Sequence, residues 1–238
     1  MANPFKDIQE LERDIESYLK KNNSSIYNNS KRISDFFEMT CYNNIVRFYE
    51  NNGYIVDIKN TIKNKFRYKC TTAGDPRKYS YFEIRPKLGR GNVYEIRHNV
   101  NIQSAHCKEI YTTPDIAVLK QNAVELDHEF YNSKAIYYYI PNESLITFCE
   151  AKNLTAFPEL LFNFIGIVNE LKPQCMKNGK RYSEKHIAPS LLISGGANAH
   201  AEKIISNLQG RYRINILCDL FNVVGITFKY RIKKMQKI

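Results

Sequence analysis

The chain has 238 residues, of which 43% are hydrophobic and 25% charged, as is ordinary for a globular protein with a buried core. Its charge is unusual, because 35 lysines and arginines against 24 acids give a net charge of +11. This excess favours a polyanionic partner, with nucleic acid ahead of an anionic membrane surface. No apolar run approaches the ~20 residues of a spanning helix, and no signal peptide is recognisable, so we expect no membrane partner.

The six cysteines contain no CxxC pair and stand at positions 41, 70, 107, 149, 175 and 218. Scattered cysteines in apolar surroundings indicate reduced, buried thiols and a cytoplasmic protein. A zinc site can be drawn from Cys70, His98, His106 and Cys107. Its spacings match no standard zinc pattern, so the sequence does not favour a zinc site.

Two helices are predicted at the beginning of the chain. The first covers residues 4–21 and is followed by an Asn- and Ser-rich loop, which together form an N-terminal elaboration over 1–29. The second begins after Ser30, a suitable N-cap, and continues to Asn52 with apolar residues at helical spacing. Gly53 is a natural stop for this helix.

Strands dominate the middle of the chain. Residues 65–104 have the pattern of strands joined by turns, and the "KLGRGN" turn separates "YSYFEIR" from "VYEIRHNVNI". A short strand, "TPDIAVL", comes next. It is followed by an irregular insertion over 120–143 and then by the strand "LITFCEAKN".

The last part of the chain alternates between helices and strands. Thr155 is a candidate cap for the helix "AFPELLFNFIGIVNEL", which tolerates Pro158 in its first turn and should be deeply buried because it is apolar nearly all round. The segments "SLLISGG", "NAHAEKIISNLQG" and "RINILCDLF" then give a strand, a helix and a strand. This order predicts a single α/β domain with a mixed or parallel sheet.

Charged residues end two of these strands. Because strand side chains alternate, Glu150 and Lys152 of "ITFCEAKN" share one face. Asp115, which follows Pro114, begins the preceding strand. These short motifs are also compatible with a turn and a solvated surface pair.

Pro-Asp, a strand, and a second strand ending in Glu-x-Lys before a helix resemble the PD-(D/E)xK nuclease superfamily. The resemblance covers roughly residues 30–172, leaving 173–238 as a C-terminal βαβ extension. It implies the restriction-endonuclease-like fold, a mixed central β-sheet flanked by helices. It also implies a Mg²⁺-dependent endodeoxyribonuclease in which Mn²⁺ can replace Mg²⁺. The "EAK" form favours a type II restriction endonuclease, for which the resemblance implies a homodimer.

The alternatives are a DNA-repair, transposition or phage-defence nuclease of the same fold, and a catalytically silent nucleic-acid-binding protein. A purely binding protein has no reason to keep two acids and a lysine together. The presence of all three therefore favours the enzyme.

The resemblance also gives these residues roles. Two carboxylates on adjacent strands can share a hard divalent cation, which assigns Asp115 and Glu150 as metal ligands. The backbone carbonyl of Ala151 is a further ligand by resemblance. Lys152 would face the attacking water and the phosphate, where it can offset charge in the transition state.

Some members of the superfamily carry an additional acid on the first core helix. At 100° per residue, Glu38 falls at the flank of the apolar stripe and can reach the site, whereas Glu50 should be solvated. A boundary carboxylate without a role is equally compatible with the position of Glu38. Glu95, on "VYEIRHNV", is the rival third acid.

Basic residues outside this site are candidates for nucleic-acid binding. Lys87 and Arg90 stand on the "KLGRGN" turn, which is compatible both with a phosphate-tracking hairpin tip and with an ordinary solvated turn. Arg97 follows on the next strand, and Lys185 lies in the basic segment "KNGKRYSEKH".

Overall fold

A computed structural model describes residues 8–27, 32–89, 91–127, 136–177, 186–220 and 235–238. These residues form a mixed α/β protein with a seven-stranded central sheet and four α-helices. The helices are α1 (Ile8–Lys21), α2 (Ile33–Asn51), α3 (Pro158–Leu171) and α4 (Ala199–Arg211). The strands are β1 (Ser25–Ile26), β2 (Tyr54–Lys59), β3 (Lys65–Phe66), β4 (Tyr81–Pro86), β5 (Tyr94–His98), β6 (Ile102–Gln103), β7 (Tyr111–Thr112), β8 (Ile116–Lys120), β9 (Glu125–Asp127), β10 (Tyr137–Tyr139), β11 (Leu145–Lys152), β12 (Ser190–Ile193) and β13 (Asn215–Leu217).

The central sheet has the strand order β13-β12-β11-β8-β5-β4-β2 and is mostly antiparallel. From β11 to β2 every neighbouring pair is antiparallel. β12 and β13 run parallel to β11, as the strand-helix-strand pattern predicts. The segment predicted as a C-terminal extension therefore supplies two strands of the same sheet.

Helices cover both faces of the sheet and bury its apolar residues in two clusters. α1 and α2 pack on one face, where the ring of Tyr42 lies 5.4 Å from that of Phe82. α3 and α4 pack on the other face, where Phe148 of β11 meets Phe164 of α3 with ring centroids 6.2 Å apart. Both faces are covered over β8, β11 and β12, so these three strands carry apolar residues on both sides.

The boundaries of α2 differ from the prediction at its N-terminus. The helix begins at Ile33, and Arg32 occupies the cap position without a side-chain capping hydrogen bond. The predicted cap, Ser30, lies outside the described residues. At the other end, Gly53 has a φ of +87°, which glycine adopts without strain and which stops the helix as predicted.

Two predictions for α3 are wrong. Its cap position is Phe157 rather than Thr155, although Pro158 does fall in the first turn. The helix is also not buried all round, because Leu161 is fully buried whereas its neighbour Phe162 is 53% exposed. The reason is that α3 is an outer-layer helix that buries one face on the sheet, and its composition does not report this.

The insertion over 120–143 is not wholly irregular as predicted, because its described residues include β9 and β10, which lie outside the central sheet. β9 and β10 pair antiparallel in a separate two-stranded sheet, and residues 128–135 between them lie outside the described part. In the described ranges no helix is long and apolar enough to cross a bilayer. All six cysteines lie in the described residues and none of them forms a disulfide.

Candidate active site

The predicted acids and lysine meet at one edge of the central sheet. β8 and β11 are antiparallel neighbours, and their ladder pairs Cys149 with Ile116, the first residue of β8. The start of β8 therefore lies beside the end of β11. This places Asp115 next to Ala151 and Lys152, as the sequence motif predicts.

Lys152 is held between two carboxylates. Its Nζ lies 2.7 Å from Oε2 of Glu150 and 2.9 Å from Oδ2 of Asp115. The same Asp115 oxygen accepts a hydrogen bond of 2.7 Å from the backbone N–H of Ala151. Asp115, Glu150 and Lys152 thus form one hydrogen-bonded group at the ends of two strands.

The group is mostly buried and contains two carboxyl groups for one ammonium. Asp115 is 7% exposed and Glu150 4% exposed, whereas the side chain of Lys152 retains 34% exposure. Burial raises the pKa of Glu150, and the nearby Asp115 carboxylate raises it further. Burial lowers the pKa of Lys152, but the Glu150 and Asp115 carboxylates outweigh it and leave that pKa above its usual value. Lys152 is therefore protonated at neutral pH.

Glu38 approaches this group from α2. Burial, followed by the charge of Asp115, raises its pKa to about 7, although a hydrogen bond from Asn99 opposes the change. Its Oε2 lies 3.5 Å from Nδ2 of Asn99 and 3.6 Å from Nε2 of His98. Glu50, on the same helix, instead pairs with Lys21 at 3.3 Å. Of these two acids, Glu38 is the one whose carboxylate faces the site.

Glu95 does not belong to the site. It is fully buried and pairs with Arg97 at 2.6 Å. In the sheet register it stands opposite Leu119, four positions along β8 from Asp115, or about 13 Å at the usual strand rise. The sequence could not decide between Glu38 and Glu95, because the decision depends on strand register.

The structure buries one of the residues predicted to bind nucleic acid, Arg97, and leaves the prediction for Lys87 untested. Arg97 is 7% exposed, donates to the carbonyl of Pro76 and lies 3.8 Å from the ring centre of Tyr81, so it is a buried ion-pair partner of Glu95. Lys87 is exposed, but the turn between β4 and β5 lies at the far end of the strands from Asp115. Arg90 and Lys185 lie outside the described residues.

Two residues that the motifs do not include support the site, namely Asn99 and Lys69. The backbone N–H of Asn99 donates to the carbonyl of Asp115 at 2.9 Å, and its side chain donates to the carbonyl of Lys69 at 2.9 Å. Lys69 is 2% exposed, and its Nζ donates to the carbonyl of Asn99 at 2.6 Å. Asn99 has a φ of +51°, which asparagine tolerates better than most residues. The feature of the sequence that could have indicated this role is an asparagine directly after a strand.

The oxygen donors of the site suit a hard divalent cation. Asp115 and Glu150 present two carboxylates side by side with only one ammonium between them, so a cation would relieve their repulsion. Ala151 lies two residues after the last ladder pair of β11 with β8, and its backbone N–H donates to Asp115. In a β-strand the N–H and the C=O of one residue point to the same side, so the carbonyl of Ala151 also points toward Asp115. Within the described ranges no three His, Cys, Asp or Glu side chains cluster as a metal site, so the candidate ligand set depends on two carboxylates and a carbonyl. The zinc set of Cys70, His98, His106 and Cys107 is likewise not assembled there.

Comparison of the chain with protein-family models, with curated proteins and with solved structures finds no match. The geometry of the site and the charge of the protein are therefore what indicate its function.

Proposed function

We propose that this protein is a Mg²⁺-dependent endodeoxyribonuclease with the restriction-endonuclease-like fold, most simply a type II restriction endonuclease. One observation carries the proposal. Asp115, Glu150 and Lys152 come from two strands and converge at one sheet edge within hydrogen-bonding distance. The net charge of +11 supports a polyanionic substrate.

Asp115 and Glu150 would hold the cation, with the carbonyl of Ala151 as a third oxygen ligand. A bound Mg²⁺ supplies neutralisation of phosphate charge and a bound water of lowered pKa. The buried position of the two carboxylates favours binding, because a cation replaces the hydration that burial has removed from them.

Lys152 and Glu38 have different proton properties and therefore different roles. Because the pKa of Lys152 is above its usual value, its ammonium acts as a hydrogen-bond donor to a phosphate oxygen and not as a base. Glu38 has a pKa of about 7, so near neutral pH it can accept a proton from a water molecule. Because the pKa of Lys152 lies far above that of Glu38, we assign Lys152 as the hydrogen-bond donor and Glu38 as the proton acceptor.

The test is cleavage of a supercoiled plasmid and of oligonucleotide duplexes in Mg²⁺, Mn²⁺, Ca²⁺ or EDTA. We expect cleavage with Mg²⁺ and Mn²⁺, and none with Ca²⁺ or EDTA. Asp115→Asn should abolish it, while Lys120→Ala, at the opposite end of β8, should cut like wild type. Parallel reactions with RNA test the substrate class, and sedimentation with and without DNA tests the homodimer.

Each outcome separates the candidate functions. DNA binding without cleavage in any metal would leave a catalytically silent binding protein. Cleavage that survives in both Asp115→Asn and Glu150→Gln would mean that this site is not the catalytic one.

A further inference from the structure

A strongly basic segment lies outside the active site. From Ile58 to Gly74 the chain contains no acidic residue and five basic ones, Lys59, Lys63, Lys65, Arg67 and Lys69. Lys78 follows shortly after. A run of this kind in solvent can be a simple solvated face, so its value depends on where the structure places it.

The segment is hydrogen-bonded to the turn over residues 76–78, and we treat the two together as one layer. The side chain of Asn60 donates to the carbonyls of Arg77 and Tyr79 at 2.6 and 2.9 Å. Arg67 donates from its guanidinium to the carbonyl of Lys78 at 3.3 Å. These bonds hold Lys78 beside the segment.

Four basic residues of this layer form what we call the basic surface, namely Lys63, Lys65, Arg67 and Lys78. Lys63, Lys65 and Lys78 are exposed. Two acids of the neighbouring segments are engaged with other bases, since Asp75 pairs with Arg77 at 3.0 Å and Glu83 pairs with Lys59 at 3.1 Å. The basic surface therefore keeps a concentrated positive charge.

The basic surface lies at the same sheet edge as the active site. β2 ends at Lys59, which pairs with the first residue of β4, and β5 ends at His98, which pairs with Ile116 directly after Asp115. Three strand intervals separate β2 from β8, or about 14 Å at the usual spacing. A hydrogen-bonded path through Lys69 and Asn99 also joins this layer to the carbonyl of Asp115.

We propose that the basic surface binds the phosphate backbone of duplex DNA beside the bond that is cut. The spacing of about 14 Å between β2 and β8 is the length of roughly four base pairs, because each DNA strand carries one phosphate per ~3.4 Å of helix axis. Charge complementarity and continuity with a phosphodiester site favour DNA over an anionic bilayer. The inference rests on the proposed function only for the location of the cut bond.

The test combines Lys63→Gln, Lys65→Gln and Lys78→Gln in one variant and leaves Arg67, which bonds the backbone, in place. The matched control combines Lys120→Gln, Lys177→Gln and Lys203→Gln, which are also exposed and remove the same charge. Binding of a fluorescent 30-base-pair duplex is measured by anisotropy in EDTA from 50 to 200 mM salt, after thermal melting confirms that both variants fold.

The basic-surface variant should bind duplex about 10- to 100-fold more weakly than wild type, and its slope of log affinity against log salt should be shallower by about 2–3. The control should stay within about threefold of wild type. Equal losses in both variants would mean that only net charge matters and would overturn the inference. So would unchanged binding by the basic-surface variant, or wild type that binds anionic vesicles but not duplex.

The two proposals can fail separately. If wild type binds duplex through this surface but cuts it in no metal, the surface stands and the nuclease proposal fails. If wild type cuts DNA while the basic-surface variant binds and cuts normally, the nuclease proposal stands and the surface is rejected.

Discussion

The Nζ atom of Lys152 lies 2.9 Å from Oδ2 of Asp115, although the two residues are 37 positions apart in the chain. The contact exists because β8 and β11 are antiparallel, so that the residue before β8 meets the last residue of β11. Glu150 shares the same ammonium at 2.7 Å. A change at Lys152 therefore acts on both carboxylates as well as on any bound phosphate.

Lys152→Ala should separate DNA binding from catalysis. If the ammonium stabilises charge mainly in the transition state, single-turnover cleavage should fall by roughly 10²–10⁴-fold with little change in duplex affinity. Lys152→Arg should not restore the rate, because the planar guanidinium differs from a compact ammonium in geometry. Lys120→Ala is the control. A rate near that of wild type in Lys152→Ala, with its fold intact, would refute the catalytic role.

Asp115→Asn and Glu150→Gln should each weaken Mg²⁺ binding by about tenfold or more. A neutral amide oxygen compensates the charge of a hard cation poorly, and each variant removes one of two adjacent carboxylates. Isothermal titration with Mg²⁺ and Mn²⁺ in the presence of duplex measures the effect. Glu83→Gln, which lies in an ion pair with Lys59 away from the site, should bind the metal like wild type. Wild-type metal affinity in both site variants would remove the ligand assignment.

Glu38→Gln should stabilise the metal-free protein at high pH. The folded-state pKa of Glu38 is about 7, above the ordinary 4.5, because the folded protein favours the neutral carboxyl. The contribution of this group to the free energy of unfolding is therefore fully present below pH ~4.5 and is lost as the pH rises through 7 and the buried carboxyl ionises. Glutamine stays neutral and avoids this loss. Urea unfolding should show a gain of about 2–3 kcal/mol at pH 8 and a much smaller difference near pH 4.5.

The matched control on the same helix is Glu50→Gln. Glu50 forms a partly exposed ion pair with Lys21, so we expect a change of less than about 1 kcal/mol at either pH. A Glu38→Gln gain that is the same at pH 4.5 and pH 8 would contradict the raised pKa.

Asn99→Gly should destabilise the protein although glycine suits the positive φ of this position. The substitution removes the side-chain hydrogen bonds to the carbonyl of Lys69 and to Glu38 while it preserves the backbone conformation. We expect a loss of about 1–3 kcal/mol in the free energy of unfolding. Asn64→Gly, at an exposed position with a φ of +60°, should change it by less than about 1 kcal/mol. Equal effects of the two substitutions would show that the Asn99 side chain is not a support of the site.

Residue types and periodicity predicted much of the secondary structure and the central group of the site. Alternation placed Glu150 and Lys152 on one strand face, and the structure confirms that both lie beside Asp115. The burial of α3 and its cap were wrong, because an apolar composition does not tell how many faces of a helix have neighbours. Periodicity is a local property, and packing is not.

The sequence by itself determined which side chains end strands, which of them share a face, and that the protein as a whole is strongly basic. Only the tertiary structure decided that Glu38 rather than Glu95 faces Asp115, that Arg97 is buried, and that Asn99 joins the site. Strand order and register set these relationships. Strand order and register are fixed by pairing between segments that are distant in the chain. The strand period of two residues and the helix period of 3.6 residues do not encode that pairing.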